Sequence, residues 1–252
     1  MSGTVIIAAM EREVQPLVRG WRRNSLSDGT QSFSVFENGD RVLVISDIGR
    51  ANAEAAARAA IAHYQPAQLV SVGLAGALIR SLKAGSVVTP NVVVDAADGA
   101  EYRCTVETGA VVGGGVLVSA TEIASSDDKQ QLVERFHGLV VDMEAAGVAR
   151  AAQEAGIGFR CVKAISDEAD FVMPPLARFV DASGSFQSGR FAAWAAVRPW
   201  WWMRVAALGR NTSKAARTLC EWLEKNMGAS AASAEVVKLG RAEMRDVIPG
   251  RR

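Results

Sequence analysis

The runs TVIIAA, RVLVIS, QLVSVG, GSVVTPNVVV, GVLVS, LVVD and FRCVKAIS follow one another through the first two-thirds of the chain, and several carry no polar alternation. Such a strand has no wet face and belongs in a sheet covered on both sides. The cover is at hand in the same stretch. ANAEAAARAAIAHY and EAAGVARAAQEAG read as alanine-rich helices, the second closed by Gly156 as a C-terminal glycine. Strands alternating with helices predict a layered α/β fold.

The length of 252 residues suits one α/β domain, and 49% apolar with 22% charged residues is a globular balance. A net charge of +1 gives no electrostatic reason to expect a polyanion, which argues against nucleic acid as a partner. Cys104, Cys161 and Cys220 are widely spaced, and an odd count rules out a complete disulfide framework. Buried thiols in a reducing cytoplasm are expected. The two histidines, His63 and His137, are too few for a histidine-rich metal site, and no metal is expected. The amino terminus lacks a basic leader and reads as the first strand.

After Asp170 the composition changes. Pro174-Pro175 and DASGSFQSG read as a loop over the sheet edge. FAAWAAVRPWWWMRVAALG follows, with Pro199 breaking any single helix and Arg198 and Arg204 opposing a membrane span. Trp200, Trp201 and Trp202 between two arginines suit a membrane interface; contact with the sheet or with a partner subunit is the competing reading. NTSKAARTLCEWLEKN is expected as a separate helix that starts at Asn211, Thr212 or Ser213 and buries Ala216, Leu219, Cys220 and Leu223. One domain over 1–227 with an insert at 171–210, followed by a flexible tail at 228–252, is the expected organisation.

Four segments put polar groups or glycines where a strand ends, the usual place for a ligand in an open α/β sheet. They are AAMEREV with Glu11 and Glu13, VGLAGAL with Gly73 and Gly76 as a turn, VVDMEAAG with Asp142 and Glu144, and AISDEAD with Ser166, Asp167 and Asp170. Each has an ordinary structural reading: an exposed helix start for Glu13 or Glu11, a helix-dipole carboxylate for Glu144, a helix cap for Asp167. GGG at 113–115 reads as a hairpin turn and not as a dinucleotide fingerprint. Together the segments make an acid-lined pocket. Carboxylates without histidine, thiol or metal suit glycosidic cleavage, whose oxocarbenium-like transition state is stabilised by negative charge while a protonated acid serves the leaving group.

AAMEREV, SDIGRANAEAAA, VGLAGAL, VVDMEAAGVA and VKAISDEAD stand in the order and at about the spacing of the nucleoside phosphorylase and nucleosidase family, most of all the methylthioadenosine/adenosylhomocysteine nucleosidases. The chain resembles that family over about residues 4–170. The resemblance implies a three-layer α/β/α fold with a central mixed sheet, a purine nucleoside substrate, no cofactor beyond phosphate as a co-substrate, and a homo-oligomer. It implies Asp167 as the acid that protonates purine N7, oriented by Ser166. It implies Glu144 on the ribose hydroxyls, Met143 against the sugar, Glu13 on the attacking water, and Asp142 as a second acid near the ribose. Gly73, Leu74, Ala75 and Gly76 would pass close to the ligand.

The chain also departs from the family pattern. Leu74 stands where Ser or Thr usually follows the first glycine, and Ser71 where phosphorolytic relatives tend to have Arg, so two usual phosphate ligands are missing and Arg50 is the candidate substitute. Ile123 stands where relatives offer an aromatic to the base. The RPWWW insert resembles that of the hopanoid-associated phosphorylases, which implies adenine release from adenosylhopane in hopanoid biosynthesis and a cytoplasmic enzyme that touches the inner membrane face. A soluble methylthioadenosine/adenosylhomocysteine nucleosidase and a non-catalytic nucleoside-binding protein are the alternatives.

Overall fold

A computed structural model describes residues 3–105, 112–181 and 183–227; the expected tail at 228–252 lies outside the described residues. In chain order the elements are β1 (Thr4–Ala8), α1 (Glu11–Val18), β2 (Arg22–Ser27), β3 (Ser32–Asn38), β4 (Arg41–Ile45), α2 (Arg50–Tyr64), β5 (Gln68–Ala77), β6 (Val87–Thr89), β7 (Val92–Asp95) and β8 (Glu101–Arg103). They continue with β9 (Val112–Gly113), β10 (Val116–Ser119), α3 (Ser126–Phe136), β11 (Val140–Asp142), α4 (Ala145–Glu154), β12 (Gly158–Asp167), a 3₁₀ turn (Leu176–Phe179), α5 (Ser188–Ala196) and α6 (Pro199–Met227).

The strands form one mixed sheet in the order β2-β3-β4-β1-β5-β11-β10-β7-β8; β12 branches from β5 and carries β6, which carries β9. Along β1, Val5 and Ile7 face one side and Ile6 and Ala8 the other, and all four are buried. On the first side lie the buried alanines of α2 and α4. These helices approach so closely that a Cβ on Gly147 would meet the Arg50 carbonyl. Small side chains are what this approach requires, which explains the alanine runs. On the second side α1 and α6 supply Val14, Leu17, Leu219 and Leu223. The three-layer α/β/α fold with a mixed sheet follows, as expected.

Several local expectations change. Residues 199–227 form one helix, so Asn211, Thr212 and Ser213 cap nothing and no structural boundary falls at 210. Pro199 is its first residue, where the missing N–H costs no hydrogen bond. The break between α5 and α6 falls at Val197 and Arg198. Gly73 and Gly76 lie inside β5 and are not a turn. The GGG run is not a hairpin, because β9 pairs with β6 whereas β10 pairs with β7 and β11. Strand β2, at the sheet's edge, and its neighbour β3 are absent from the strands expected of the sequence. RRNSLS, with one buried residue in six, shows too little apolar patterning for that. All three cysteines are buried and unpaired, and burial pushes the Cys104 thiol up to about 12.

Candidate active site

Strands β1, β5 and β12 run parallel; β1 ends at Ala8, opposite Val72, and β5 and β12 run on together beyond it. β11 pairs antiparallel with the last residues of β5, Val141 opposite Gly76, so its own end turns back to the same place. The acids that follow β1, β11 and β12 therefore meet in one cavity of about 500 Å³. A bulge between Ile165 and Asp167 re-aims the end of β12, so that both Ser166 and Asp167 line the cavity.

The two strand glycines make room for carboxylates. A Cβ on Gly73 would stand 2.9 Å from Glu13 Oε2, and one on Gly76 would stand 2.9 Å from Asp167 Oδ2. Gly73 also has a φ of +148°, which side-chain-bearing residues rarely adopt.

Glu13 is buried in the first turns of α1, and its Oε2 has no hydrogen-bond partner among the described residues. Burial, and then the nearby Glu144, push its carboxyl up to about 8. The helix-start reading therefore applies to Glu11, which is half-buried and reaches Arg23 at 3.2 Å. Glu144 precedes α4 without capping it. Its Oε1 accepts from the Gly49 N–H at 2.9 Å and its Oε2 from the Met143 N–H at 3.3 Å. Burial, with Asp142 beside it, pushes Glu144 up to about 7.

Asp142 Oδ2 accepts from Lys163 Nζ at 2.8 Å and from the Ala145 N–H at 2.9 Å, while the buried Oδ1 has no partner among the described residues. Burial works against the Lys163 ammonium, but Asp142, then Cys161 and Glu144, more than offset it and hold the group above its ordinary value. Asp142 thus has a structural partner and also lines the cavity. Asp167 Oδ1 accepts from Ser166 Oγ at 2.7 Å, and its Oδ2 from Lys129 Nζ at 2.5 Å.

Leu74, Ala75, Gly76, Ile123 and Met143 line the cavity, whereas Gly73 sits behind Glu13 and off the lining. Arg50 does not face the cavity. Its guanidinium pairs with buried Asp95 at 2.6 Å, so it is no substitute phosphate ligand. Residues 171–210 are more than a loop. Met173, Leu176, Phe186 and Phe191, with Val205 and Leu208 of α6, form an apolar outer wall. The insert is seated on the loop that serves Glu144: Ile48 N–H donates to Gly184 O at 3.2 Å and Asn52 Nδ2 to Ser183 O at 2.8 Å.

Three groups that hold the cavity acids are absent from the sequence expectations: Lys129 on Asp167, Lys163 on Asp142 and the Gly49 N–H on Glu144. Gly49 lay in plain view within SDIGRANA. For Lys129 the signal was faint, a cation at the start of a helix, where the dipole disfavours it. Among the described residues no group of three or more His, Cys, Asp or Glu side chains could hold a metal ion.

The family model of the phosphorylase superfamily matches residues 4–106 and 96–187. The chain belongs to the phosphorylase superfamily. Membership carries with it the enzyme expected from the motifs. Among curated relatives, a 5'-methylthioadenosine/S-adenosylhomocysteine nucleosidase of Staphylococcus aureus is 28% identical over 203 residues, covering 66% of this chain and 86% of that protein. Among solved structures, a Helicobacter pylori nucleosidase of the same name, complexed with a substituted pyrrolidin-3-ol, superposes with a TM-score of 0.65 at 19% identity, covering 88% of this chain and 96% of that one. The futalosine hydrolase of H. pylori gives a TM-score of 0.65 at 19% identity over 88% and 95%. At these identities the structures speak for the superfamily's fold.

Proposed function

We propose that this superfamily member cleaves the N-glycosidic bond of a purine nucleoside, and that its substrate is lipid-linked, adenosylhopane, from which it releases adenine for hopanoid biosynthesis. The cleavage half rests on the convergence of Glu13, Glu144 and Asp167 in one cavity, at the ends of three different strands. Asp167, held by Ser166, gives its proton to purine N7, and the electron pair of the glycosidic bond leaves with the base. Glu144 holds the ribose hydroxyls, with Met143 against the sugar. Glu13 directs the nucleophile, and its ionised form, with Glu144 and Asp142, stabilises positive charge on the sugar. Water is the nucleophile favoured by the pairing of Arg50 with Asp95, which leaves phosphate without the cation expected for it.

The single observation that carries the lipid half is the outer wall. A soluble thionucleoside needs no apolar chamber built from a forty-residue excursion (171–210). On α6, whose Val205 and Leu208 form part of that wall, Trp200, Trp202 and Met203 are 67%, 55% and 85% exposed. Arg198 and Arg204 stack on Trp194 and Trp201 beside them, an arrangement that suits peripheral contact with an anionic membrane face. Among the described residues no helix is long and apolar enough to cross a membrane. The second reading, a soluble methylthioadenosine/adenosylhomocysteine nucleosidase, is favoured by the names of the relatives.

Adenine release from adenosylhopane in detergent and from methylthioadenosine, each with and without phosphate, separates the readings. Turnover of the lipid nucleoside without phosphate is expected. Turnover of methylthioadenosine alone would transfer the assignment to the soluble nucleosidase, and a requirement for phosphate would make the enzyme a phosphorylase.

A further inference from the structure

Lys129 is a costly residue. It stands in the first turns of α3, where the helix dipole repels a cation, and only 4% of its surface is exposed. A buried ammonium persists only with good partners. Its place is fixed by a reciprocal cap at the start of the helix: the Ser125 side chain accepts from the Asp128 N–H at 3.3 Å, and the Asp128 carboxylate from the Ser125 N–H at 2.8 Å. From there Lys129 Nζ reaches Asp167 Oδ2 at 2.5 Å and the Glu168 carbonyl at 3.1 Å. The same segment carries Ile123 to the cavity wall. Lys163, the other buried lysine of the site, serves Asp142 instead.

We infer that Lys129 is a positioning residue for the general acid, fixing Asp167 and countering the negative charge that Asp167 acquires on giving up its proton. The inference rests on the purine nucleoside reading above. In the step itself, the proton passes from the Asp167 carboxyl to purine N7 and the electron pair of the C1′–N9 bond leaves with the base. Water supplies hydroxide to C1′ and its remaining proton goes to Glu13. Lys129 stays an ammonium throughout. The carboxylate left behind is 3% exposed, so water cannot compensate it. The pairing of Lys129 with Asp167 is the arrangement that the transfer leaves behind in this mechanism, and a proton from solvent resets it. Because the carboxylate charge grows only as the bond breaks, an ammonium placed there acts on the transition state more than on substrate binding.

The test compares two leaving groups in the whole protein. A purine departs with a proton, whereas the nitrophenolate of 4-nitrophenyl ribofuranoside departs without one. For Lys129→Met, kcat for adenine release is expected to fall about 100-fold with KM changed less than about three-fold, while nitrophenolate release changes less than about three-fold. Lys129→Arg, which keeps the charge, is expected to recover most of the adenine rate. Equal losses on both substrates would reduce Lys129 to a structural role and overturn the inference, as would an unchanged adenine rate. Nitrophenolate release by the variant also reports that it is folded. A wild type that releases nitrophenolate but no purine would instead overturn the nucleoside reading, and one that cleaves neither would overturn both.

Discussion

The floor of the cavity and its outer wall are built on opposite principles. The floor is a set of acids held by hydrogen bonds and ion pairs: Glu144 by the Gly49 and Met143 amides, Asp142 by Lys163, Asp167 by Ser166 and Lys129. The wall is apolar, drawn from residues 171–210, and held by aromatic contacts such as Phe191 on Trp194 at 6.0 Å and Phe179 on Phe191 at 5.3 Å. Charge at fixed positions decides what bond is broken, and apolar shape decides what is carried to it. Damage to the floor should therefore appear in kcat for every purine nucleoside, and damage to the wall in KM for substrates with an apolar tail.

The largest effect is expected from Asp167→Asn, which keeps the shape and removes the proton. Adenine release should fall by about 1,000-fold or more in protein that still unfolds cooperatively, at a lower melting temperature because Lys129 loses its counter-ion. Retained release would take Asp167 out of the mechanism. Gly76→Ala comes next, because the new methyl would stand 2.9 Å from Asp167 Oδ2 and 3.3 Å from Val141 Cγ1; a loss of about 100-fold in kcat is expected, and an unaffected rate would show that Asp167 does not work from its present position.

The floor should also reveal itself through pH. Glu13 sits near 8 and Glu144 near 7, both above the ordinary carboxyl value of 4.5. Where a folded-state value is raised, the folded form keeps protons that the unfolded form has lost. Stability is then fullest below about 4.5 and declines as pH rises toward 8. Glu13→Gln should flatten part of that decline in denaturant titrations at pH 5 and 8, and an identical slope in the variant would contradict the burial of an uncompensated acid. On the activity side, kcat/KM should rise with pH toward 8 as Glu13 ionises.

Smaller effects belong to the wall. Phe191→Ala should raise KM for adenosylhopane about ten-fold and leave methylthioadenosine within about two-fold, since an aromatic side chain contributes only a few kcal/mol of apolar contact. The smallest is Trp200→Ser with Trp202→Ser. Flotation with anionic vesicles should weaken while turnover of a soluble nucleoside stays the same, and undiminished flotation would remove these rings from the membrane contact.

The same division governs what could be read in advance. The floor was legible because strand-end acids stand in recognisable motifs: AAMEREV, VVDMEAAG and AISDEAD each delivered a carboxylate to the cavity. Their partners were not, because Lys129 reaches Asp167 from 38 residues away and nothing local marks the pair. Gly73 and Gly76 signalled a turn by composition, yet their purpose lies across the sheet, in room for acids on other elements. The wall was read as a loop and an interfacial stretch, since its aromatic contacts arise only once α5 folds back beside α6. Strand β2 lacks apolar alternation because it lies at the sheet's edge with most of its residues exposed.

The continuity of α6 ties the two regions together mechanically. Its inner half is locked beneath the sheet by Leu219 and Leu223, and Cys220 Sγ lies 3.6 Å from the Glu13 carbonyl oxygen. Its outer half carries Val205 and Leu208 to the cavity and the tryptophans to the surface. A helix advances about 100° and 1.5 Å per residue. Adding or deleting one residue near Gly209 would leave the inner half in place, swing the cavity-lining stripe toward solvent and turn the tryptophans to a different quarter. The excursion is therefore not a cassette that can be lengthened freely; its phase is geared to the core, and only changes of about whole turns would preserve it.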